Sequence, residues 1–213
     1  MPRKKLQRFA QLNTLANVAQ IDQADSKEKL ATFLQNKRLT LELGCGRGEY
    51  TLFLASLNPD QQFIGIDIQG ERLWFGAKEA QEKKLTNVLF LRIQIEHLAD
   101  YFPKNSVDEI WITFPDPYPR DKQIKKRLTS PRFLNLYKKI IKPEAVLNLK
   151  TDDKDFFLYS QESIKSFGGQ ILELSEDTKH LKDNYPYTNI LTYYEKIHLK
   201  ARKSIQYLKF QLT

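Results

Sequence analysis

The segment Leu41–Glu49, with the sequence LELGCGRGE, constrains the fold of this chain more than any other segment. An apolar run reaches Glu42, three glycines follow at alternate positions, and a helical pattern begins at Glu49. Glycines in such a loop permit positive φ angles and let a ligand approach the main chain closely. We therefore predict a β-strand that turns tightly into a helix, with a ligand bound at the turn.

A second apolar run, Phe63–Asp67, ends in a carboxylate at about the distance along the chain that a βαβ unit requires. A carboxylate at the tip of that strand can accept both hydroxyl groups of a ribose. The two segments together predict an adenosine-containing cofactor in a doubly wound sheet.

The spacing of the glycines distinguishes between cofactor classes. Dinucleotide-binding loops have the pattern G-x-G-x-x-G, whereas this loop has G-x-G-x-G. Glu42 and Glu49 stand before and after the glycines, where they would repel a pyrophosphate but suit a ligand with a sulfonium and an ammonium group. The pattern favours S-adenosylmethionine over a nicotinamide cofactor. A helix-capping turn without a ligand is a third interpretation, which the stability cost of three glycines disfavours.

Length and composition limit the remaining choices. The 213 residues suit one α/β core, and the net charge of +8, from 34 Lys+Arg against 26 Asp+Glu, favours a polyanionic partner. Cys45 is the only cysteine, so an intramolecular disulfide is excluded and a reducing compartment is expected. The three histidines lack ligand spacing, so we expect no metal site. No apolar leader or membrane-length run is visible, and we expect a soluble cytoplasmic protein.

Alternating strand and helix patterns predict a mostly parallel sheet with helices on both faces. Residues 1–36 are expected to form a basic arm, either solvated by default or laid on a partner, and a short helix that begins at a cap formed by Asp25 and Ser26. Residues 37–213 are expected to form the main domain. The predicted helices are 49–57, 70–84, 131–141 and 153–167. The predicted strands are 38–43, 62–67, 88–92, 107–113, 145–150, 170–174, 190–197 and 204–210.

A second chemical centre follows the strand predicted at 107–113. Residues 114–120, with the sequence FPDPYPR and here called the hook, contain three prolines, which fix φ and remove backbone donors. A stiff loop at this end of a strand suits a carboxylate, Asp116, held against a reacting group, with Tyr118 available to stack on a base. A surface turn is the alternative interpretation.

Cations crowd the last residue of the hook and the residues directly after it. Five of them occur within eight residues and are opposed only by Asp121; they are Arg120, Lys122, Lys125, Lys126 and Arg127. Such a run is often a solvated face, but beside the hook it is well placed to hold phosphates.

The hook and the basic run resemble the signature of bacterial tRNA (guanine-N7-)-methyltransferases. Two further segments agree with this resemblance, Leu149–Asp152 and Thr192–Lys196, and the similarity extends from about residue 39 to residue 210. The family implies a class I S-adenosylmethionine-dependent enzyme with a doubly wound, mostly parallel seven-stranded sheet, a Rossmann-like methyltransferase fold. It also implies that the substrate is a guanosine in the variable loop of tRNA.

The resemblance assigns roles to individual residues. It implies a catalytic role for Asp116. The implied cofactor-binding residues are Glu42, Gly44, Gly46, Gly48, Asp67, Gln94 and Asp116. The implied substrate positions are Arg120, Asp152, Thr192, Tyr193, Tyr194 and Glu195, and the implied RNA-backbone contacts are Lys122, Lys125, Lys126 and Arg127. The chain departs from the family where Tyr118 replaces a usual Trp and Gln123 a common His. In three further places this chain has a residue that differs from the usual one of the family: Asp67 stands where Glu is more frequent, Gln94 where Asp or Asn is usual, and Arg120 where Lys is frequent.

The expected chemistry needs no general base, because N7 of guanine carries a lone pair and no proton. Catalysis is then positioning and electrostatics, with Asp116 orienting the base and stabilising charge. We expect Asp152, Thr192 and Glu195 to recognise the base. The segment Asp152–Lys154 also suits an ordinary helix N-cap with an acidic first turn. A non-catalytic RNA-binding protein with the same fold remains open, as does the choice between monomer and homodimer.

Overall fold

The structure is a computed structural model that describes residues 2–21, 23–35, 37–178 and 204–212. The strand predicted at 190–197 lies outside these residues. The chain divides into two compact units, residues 1–102 and 103–213. Within the described residues no helix has the length and apolar character needed to cross a membrane.

The first unit is built on parallel strands in the order β1, β4, β3, β2. Their bounds are β1 Val18–Gln20, β2 Leu39–Leu43, β3 Gln62–Ile66 and β4 Val88–Arg92. Strands β2 and β3 are buried along their whole length, as expected for a parallel sheet covered on both faces. Leu43 pairs with Ile66 and Ile66 with Leu91, so the carboxyl ends of β2, β3 and β4 lie in one row.

Helices join these strands at the predicted places. The glycine-rich loop leads into α3, Glu49–Leu57, whose bounds match the prediction, and α4 follows β3 as Gly70–Glu82. Helix α2, Ser26–Phe33, is present, but Asp25 makes no side-chain cap bond to it. The short helix α5, Leu98–Tyr101, was not predicted.

The first twenty residues differ from the solvated arm that was expected. They contain helix α1, Pro2–Leu12, and strand β1, which pairs with β4. Helix α1 packs on α4 at Gly70, where an added Cβ would lie 2.9 Å from side-chain atoms of both Phe9 and Leu12. Arg8 also forms an ion pair with Glu71 at 2.9 Å. Apolar residues spaced among the cations of α1 therefore bind it to the unit; the domain boundary at residue 36 remains a prediction.

The second unit combines parallel and antiparallel strands. Strand β5 pairs in parallel with β6, while β8 pairs antiparallel with both β6 and β7. The bounds are β5 Val107–Thr113, β6 Ile141–Thr151, β7 Gly169–Ser175 and β8 Gln206–Leu212, with helices α6 Pro131–Lys138 and α7 Lys154–Ser166. The described residues thus hold eight strands rather than seven, and β1 is the strand that the sequence analysis did not predict.

Buried polar groups connect the strands of the second unit. Trp111 on β5 and Asn148 on β6 both donate to Glu109, at 3.0 and 2.9 Å. The Tyr207 hydroxyl on β8 donates to Asn148 at 2.7 Å, and its ring stacks on Trp111. Each buried polar atom named here has a partner, so the network fixes the strand register at little desolvation cost.

Candidate functional site

The loop after β2 has the conformation that its glycines permit. Gly44, Gly46 and Gly48 have φ angles of 71°, 57° and 70°. The N–H groups of Gly44 and Cys45 donate to the Ile66 carbonyl at 2.8 and 3.0 Å, so the loop lies across the end of β3. The prediction of a tight turn from strand to helix is confirmed.

The ring of Phe90, which is fully buried on β4, explains why residue 48 is glycine. A Cβ added to Gly48 would lie 2.3 Å from this ring, and Cβ atoms at Gly65 and Gly76 would lie 2.8 and 2.6 Å from it. At Gly44 and Gly46, by contrast, an added Cβ meets no atom of the described residues within 4 Å. The loop therefore has a packed side at Gly48 and an open side at Gly44 and Gly46.

Asp67 lies at the tip of β3 and connects it to the loop. One carboxylate oxygen accepts the N–H of Gly46 at 2.9 Å and the other accepts the N–H of Gln69 at 2.8 Å. The residue is buried. Because each carboxylate oxygen has two acceptor sites, these bonds leave room for further donors such as ribose hydroxyls.

Glu42 is buried at the end of β2 and supports the first turn of α3. Its Oε2 accepts the backbone N–H of Thr51 at 2.9 Å and also the Thr51 hydroxyl. A carboxylate is favourable here because the N-terminus of a helix carries partial positive charge. Thr51 was not predicted as a partner of Glu42, because their contact depends on how the loop folds back.

Two residues near the strand ends face solvent. Gln94 is exposed, two residues after β4, at the N-cap position of the short 3₁₀ helix Ile95–His97. Ile68, directly after Asp67, is 46% exposed. Ile68 was not predicted as a site residue. An apolar residue directly after the acid that ends a strand is the sequence signal that could have identified it as a candidate.

The thiol of Cys45 is buried inside the loop. Burial raises its pKa well above the usual value, and the nearby carboxylates of Glu42 and Asp67 raise it further. The thiol therefore stays protonated near neutral pH, which makes it a poor nucleophile.

This environment predicts that native Cys45 resists alkylation. We expect iodoacetamide at neutral pH to modify the folded protein at least about 100-fold more slowly than the denatured protein, because only the thiolate reacts and the native thiol is inaccessible. Mass spectrometry of timed samples measures both rates, and the denatured chain is the control. Equal rates would show that Cys45 is open and reactive.

In the second unit, the hook follows β5, and Asp116 within it is exposed. Phe114 and Tyr118, on either side of Asp116, have positive φ angles of 48° and 44°. The Phe114 N–H donates to the Lys150 carbonyl on β6 at 2.8 Å. The non-repetitive loop predicted from the prolines is therefore present, and its stiffness stays a prediction.

The basic residues from Arg120 to Arg127 fall into two groups. Those of the first group are exposed on or next to the 3₁₀ helix Asp121–Lys126; they are Arg120, Lys122, Lys125 and Lys126. Arg127 departs from the expectation, because it is only 7% exposed and its guanidinium donates to the carbonyls of Pro117 and Tyr118. A single charge run thus supplies both a cationic surface and an internal contact.

Asp152 and Asp153 follow β6, the parallel neighbour of β5, and have different surroundings. The Asp153 carboxylate caps α7 by accepting the N–H of Phe156 at 2.8 Å. The helix-cap interpretation therefore applies to Asp153, and Asp152 remains a candidate for substrate contact. Asp116 and Asp152 both extend from the carboxyl ends of paired parallel strands.

Several predicted residues cannot be placed in this way. Thr192, Tyr193, Tyr194 and Glu195 lie outside the described residues.

Among residues 2–21, 23–35, 37–178 and 204–212, no group of three or more His, Cys, Asp or Glu side chains could hold a metal ion.

Solved structures share the fold. A structure described as an antibiotic related methyltransferase has a TM-score of 0.69 and 24% identity, covering 88% of this chain and 94% of that chain. A SAM dependent methyltransferase from Aquifex aeolicus has a TM-score of 0.59 and 16% identity, covering 96% and 98%. The fold is therefore the Rossmann-like fold of S-adenosylmethionine-dependent methyltransferases, as predicted.

Sequence comparisons specify the family. Residues 36–208 match the family described as "Putative methyltransferase". The chain is 40% identical to a tRNA (guanine-N(7)-)-methyltransferase of Christiangramia forsetii, over 99% of this chain and 98% of that protein. The chain belongs to this family of methyltransferases, which confirms the resemblance seen in the hook and the basic run.

Proposed function

We propose that this protein transfers the methyl group of S-adenosylmethionine to N7 of a guanosine in the variable loop of tRNA. The observation that carries the proposal is the 40% identity to a tRNA (guanine-N(7)-)-methyltransferase over nearly the full length of both chains. A reducing cytoplasm, where tRNA is modified, is the compartment that we propose for it.

The first unit fits the cofactor. Gly44 and Gly46 present open backbone, and Asp67 retains acceptor sites for ribose hydroxyls. The exposed Gln94 is suited to the adenine amino group and Ile68 to the face of the ring. The carboxylates of Glu42 and Asp67 near the loop favour a cationic ligand over a pyrophosphate. S-Adenosylmethionine supplies, when bound, a methyl group on a positively charged sulfur.

The second unit offers groups that suit guanine. Guanine presents an N1–H and an amino group as donors, and the carboxylates of Asp116 and Asp152 are acceptors. A hydrogen bond to a charged group contributes about 1.5–3 kcal/mol, and adenine lacks this donor pair. We assign base recognition to these two carboxylates, together with Thr192 and Glu195.

Asp116 also has an electrostatic role in the proposal. N7 needs no deprotonation, so the residues of the chain act by orienting the base and by stabilising charge. Positive charge appears on the purine as N7 gains a methyl group, and a fixed carboxylate stabilises that charge. The hook is suited to this role because its prolines and hydrogen bonds restrict how Asp116 moves.

The exposed cations at the end of the hook and just after it provide the RNA surface. Asp121 is the only acidic residue in the run that contains Arg120, Lys122, Lys125 and Lys126. Each phosphate contact is expected to add about 0.7–0.9 to the slope of log affinity against log salt.

The direct test is methyl transfer to unmodified tRNA. We expect tritium from methyl-labelled S-adenosylmethionine to enter tRNA, and aniline cleavage of the product to cut at one position in the variable loop. No measurable S-adenosylmethionine binding by calorimetry would instead favour a non-catalytic RNA-binding protein. Label at a different nucleotide would overturn the assigned target.

A further inference from the structure

Arg127 is a cation that faces inward. The lysines before it in the chain, Lys125 and Lys126, are exposed, whereas Arg127 is 7% exposed at the end of the 3₁₀ helix. A side chain in this position is poorly placed to reach a phosphate on a docked RNA. Its contacts indicate what it does instead.

The guanidinium of Arg127 holds two adjacent carbonyls of the hook. Its Nε donates to the Pro117 carbonyl at 2.8 Å and its Nη2 to the Tyr118 carbonyl at 3.3 Å. Pro115, Pro117 and Pro119 have no N–H, so the hook has few donors with which to fix its own backbone. A planar, forked donor can hold two neighbouring acceptors at once, which a lysine ammonium on its flexible stem does less well.

The hook also contains backbone strain next to Asp116. Tyr118 has a φ of 44°, and a non-glycine residue in this region costs about 1–3 kcal/mol unless its surroundings hold it there. The carbonyl of the strained Tyr118 is one of the two that Arg127 holds. The contact therefore acts on the part of the hook that sets the direction of Asp116.

Arg127 is itself fixed by helix α7. Its guanidinium lies 4.4 Å from the centre of the Tyr159 ring. Thr129, two residues after Arg127, is also bonded to α7. Its hydroxyl is 2.8 Å from the Ser160 hydroxyl, and its carbonyl accepts the Ser163 hydroxyl at 2.7 Å. These bonds attach the segment around Arg127 to a regular helix, so the hook is tied through Arg127 to a rigid element.

We propose that Arg127 is a positioning residue, which fixes the hook and thereby orients Asp116, and that it is not one of the phosphate contacts. The inference rests on the proposed function for its kinetic test. A displacement of a reacting group by about 1 Å can cost about 100-fold in rate, so the contact matters for catalysis even though Arg127 touches no substrate.

The substitution Arg127→Lys distinguishes a positioning role from phosphate binding. It keeps the positive charge but removes the planar guanidinium that donates to two carbonyls at once. We expect kcat at saturating tRNA and cofactor to fall about 10- to 100-fold, with the salt dependence of tRNA affinity unchanged. The substitution Lys126→Ala should instead lower the salt slope by about 0.7–0.9. Arg132→Lys, the same change at an exposed position of α6, is the matched control and should leave kcat within about twofold.

Two results would overturn the proposal. A phosphate-binding Arg127 predicts near-normal kcat in Arg127→Lys and a reduced salt slope in Arg127→Met. A merely structural role predicts a lower melting temperature with normal kcat per folded molecule.

A readout that needs no activity keeps this test distinct from that of the proposed function. Hydrogen–deuterium exchange of the amides in residues 114–126 should be about tenfold faster in Arg127→Lys than in the wild type. If the wild type methylates no tRNA, the proposed function fails while this exchange result still decides whether Arg127 holds the hook. Unchanged exchange would reject that contact.

Discussion

The substitution Asp116→Asn is expected to lower kcat for methyl transfer to tRNA by about 100- to 1000-fold, the effect of removing one preorganised charge-stabilising group. Asparagine keeps the size of the side chain but removes the negative charge that would stabilise a positive purine. Asp116 is exposed, so the change should cost little stability. Single-turnover rates at saturating cofactor and tRNA measure the effect.

Asp121→Asn is the control for Asp116→Asn. Asp121 is another exposed carboxylate, five residues further along the chain, and the change has the same effect on net charge. We expect this variant to keep kcat within about threefold of the wild type. If the two variants behave alike, or if Asp116→Asn retains wild-type kcat, Asp116 has no role in the reaction.

Gly48→Ala is expected to destabilise the protein more than the same change at Gly44 or Gly46. The φ of 70° costs an alanine about 1–2 kcal/mol, and a Cβ at 2.3 Å from Phe90 forces the ring to move, at a further cost of about 1–3 kcal/mol. The free energy of unfolding should therefore fall by about 2–5 kcal/mol. Denaturant unfolding followed by circular dichroism measures this change.

Gly44→Ala is the matched comparison for Gly48→Ala. Its φ of 71° is almost the same, but its Cβ would enter open space, so only the backbone cost of about 1–2 kcal/mol applies. Because that space is where we place the cofactor, Gly44→Ala should weaken S-adenosylmethionine binding in calorimetry. Equal losses of stability in the two variants would show that Phe90 does not constrain the loop.

The sequence predicted the regular elements well where the pattern was strong. Helix α3 and strands β4 and β5 have the predicted bounds, because apolar residues predominate in both strands and the glycine turn fixes where α3 begins. Strand β1 was missed because it is only three residues long. Helix α1 was missed because its apolar residues are dispersed among cations, and only their packing on α4 shows which face is buried.

The site was less predictable than the fold, because partners depend on the path of the backbone. Arg127 belongs to a run of cations, and nothing in the sequence distinguishes it from Lys126; its contact with Pro117 exists because the chain folds back over ten residues. Glu42 was predicted beside the cofactor, and its bond to Thr51 across nine residues was not. The roles of the residues at 192–195 stay predictions.

The packing around Phe90 has a consequence for how such sequences diverge. Gly48, Gly65 and Gly76 lie in three different segments, yet each leaves the space that one aromatic ring fills. A relative with a smaller side chain at position 90 would accommodate alanine at 65, whereas at 76 a Cβ would still lie 2.5 Å from the Arg47 carbonyl oxygen and at 48 the φ of 70° would still favour glycine. We therefore expect positions 65 and 90 to coevolve, with an increase in volume at one accompanied by a decrease at the other.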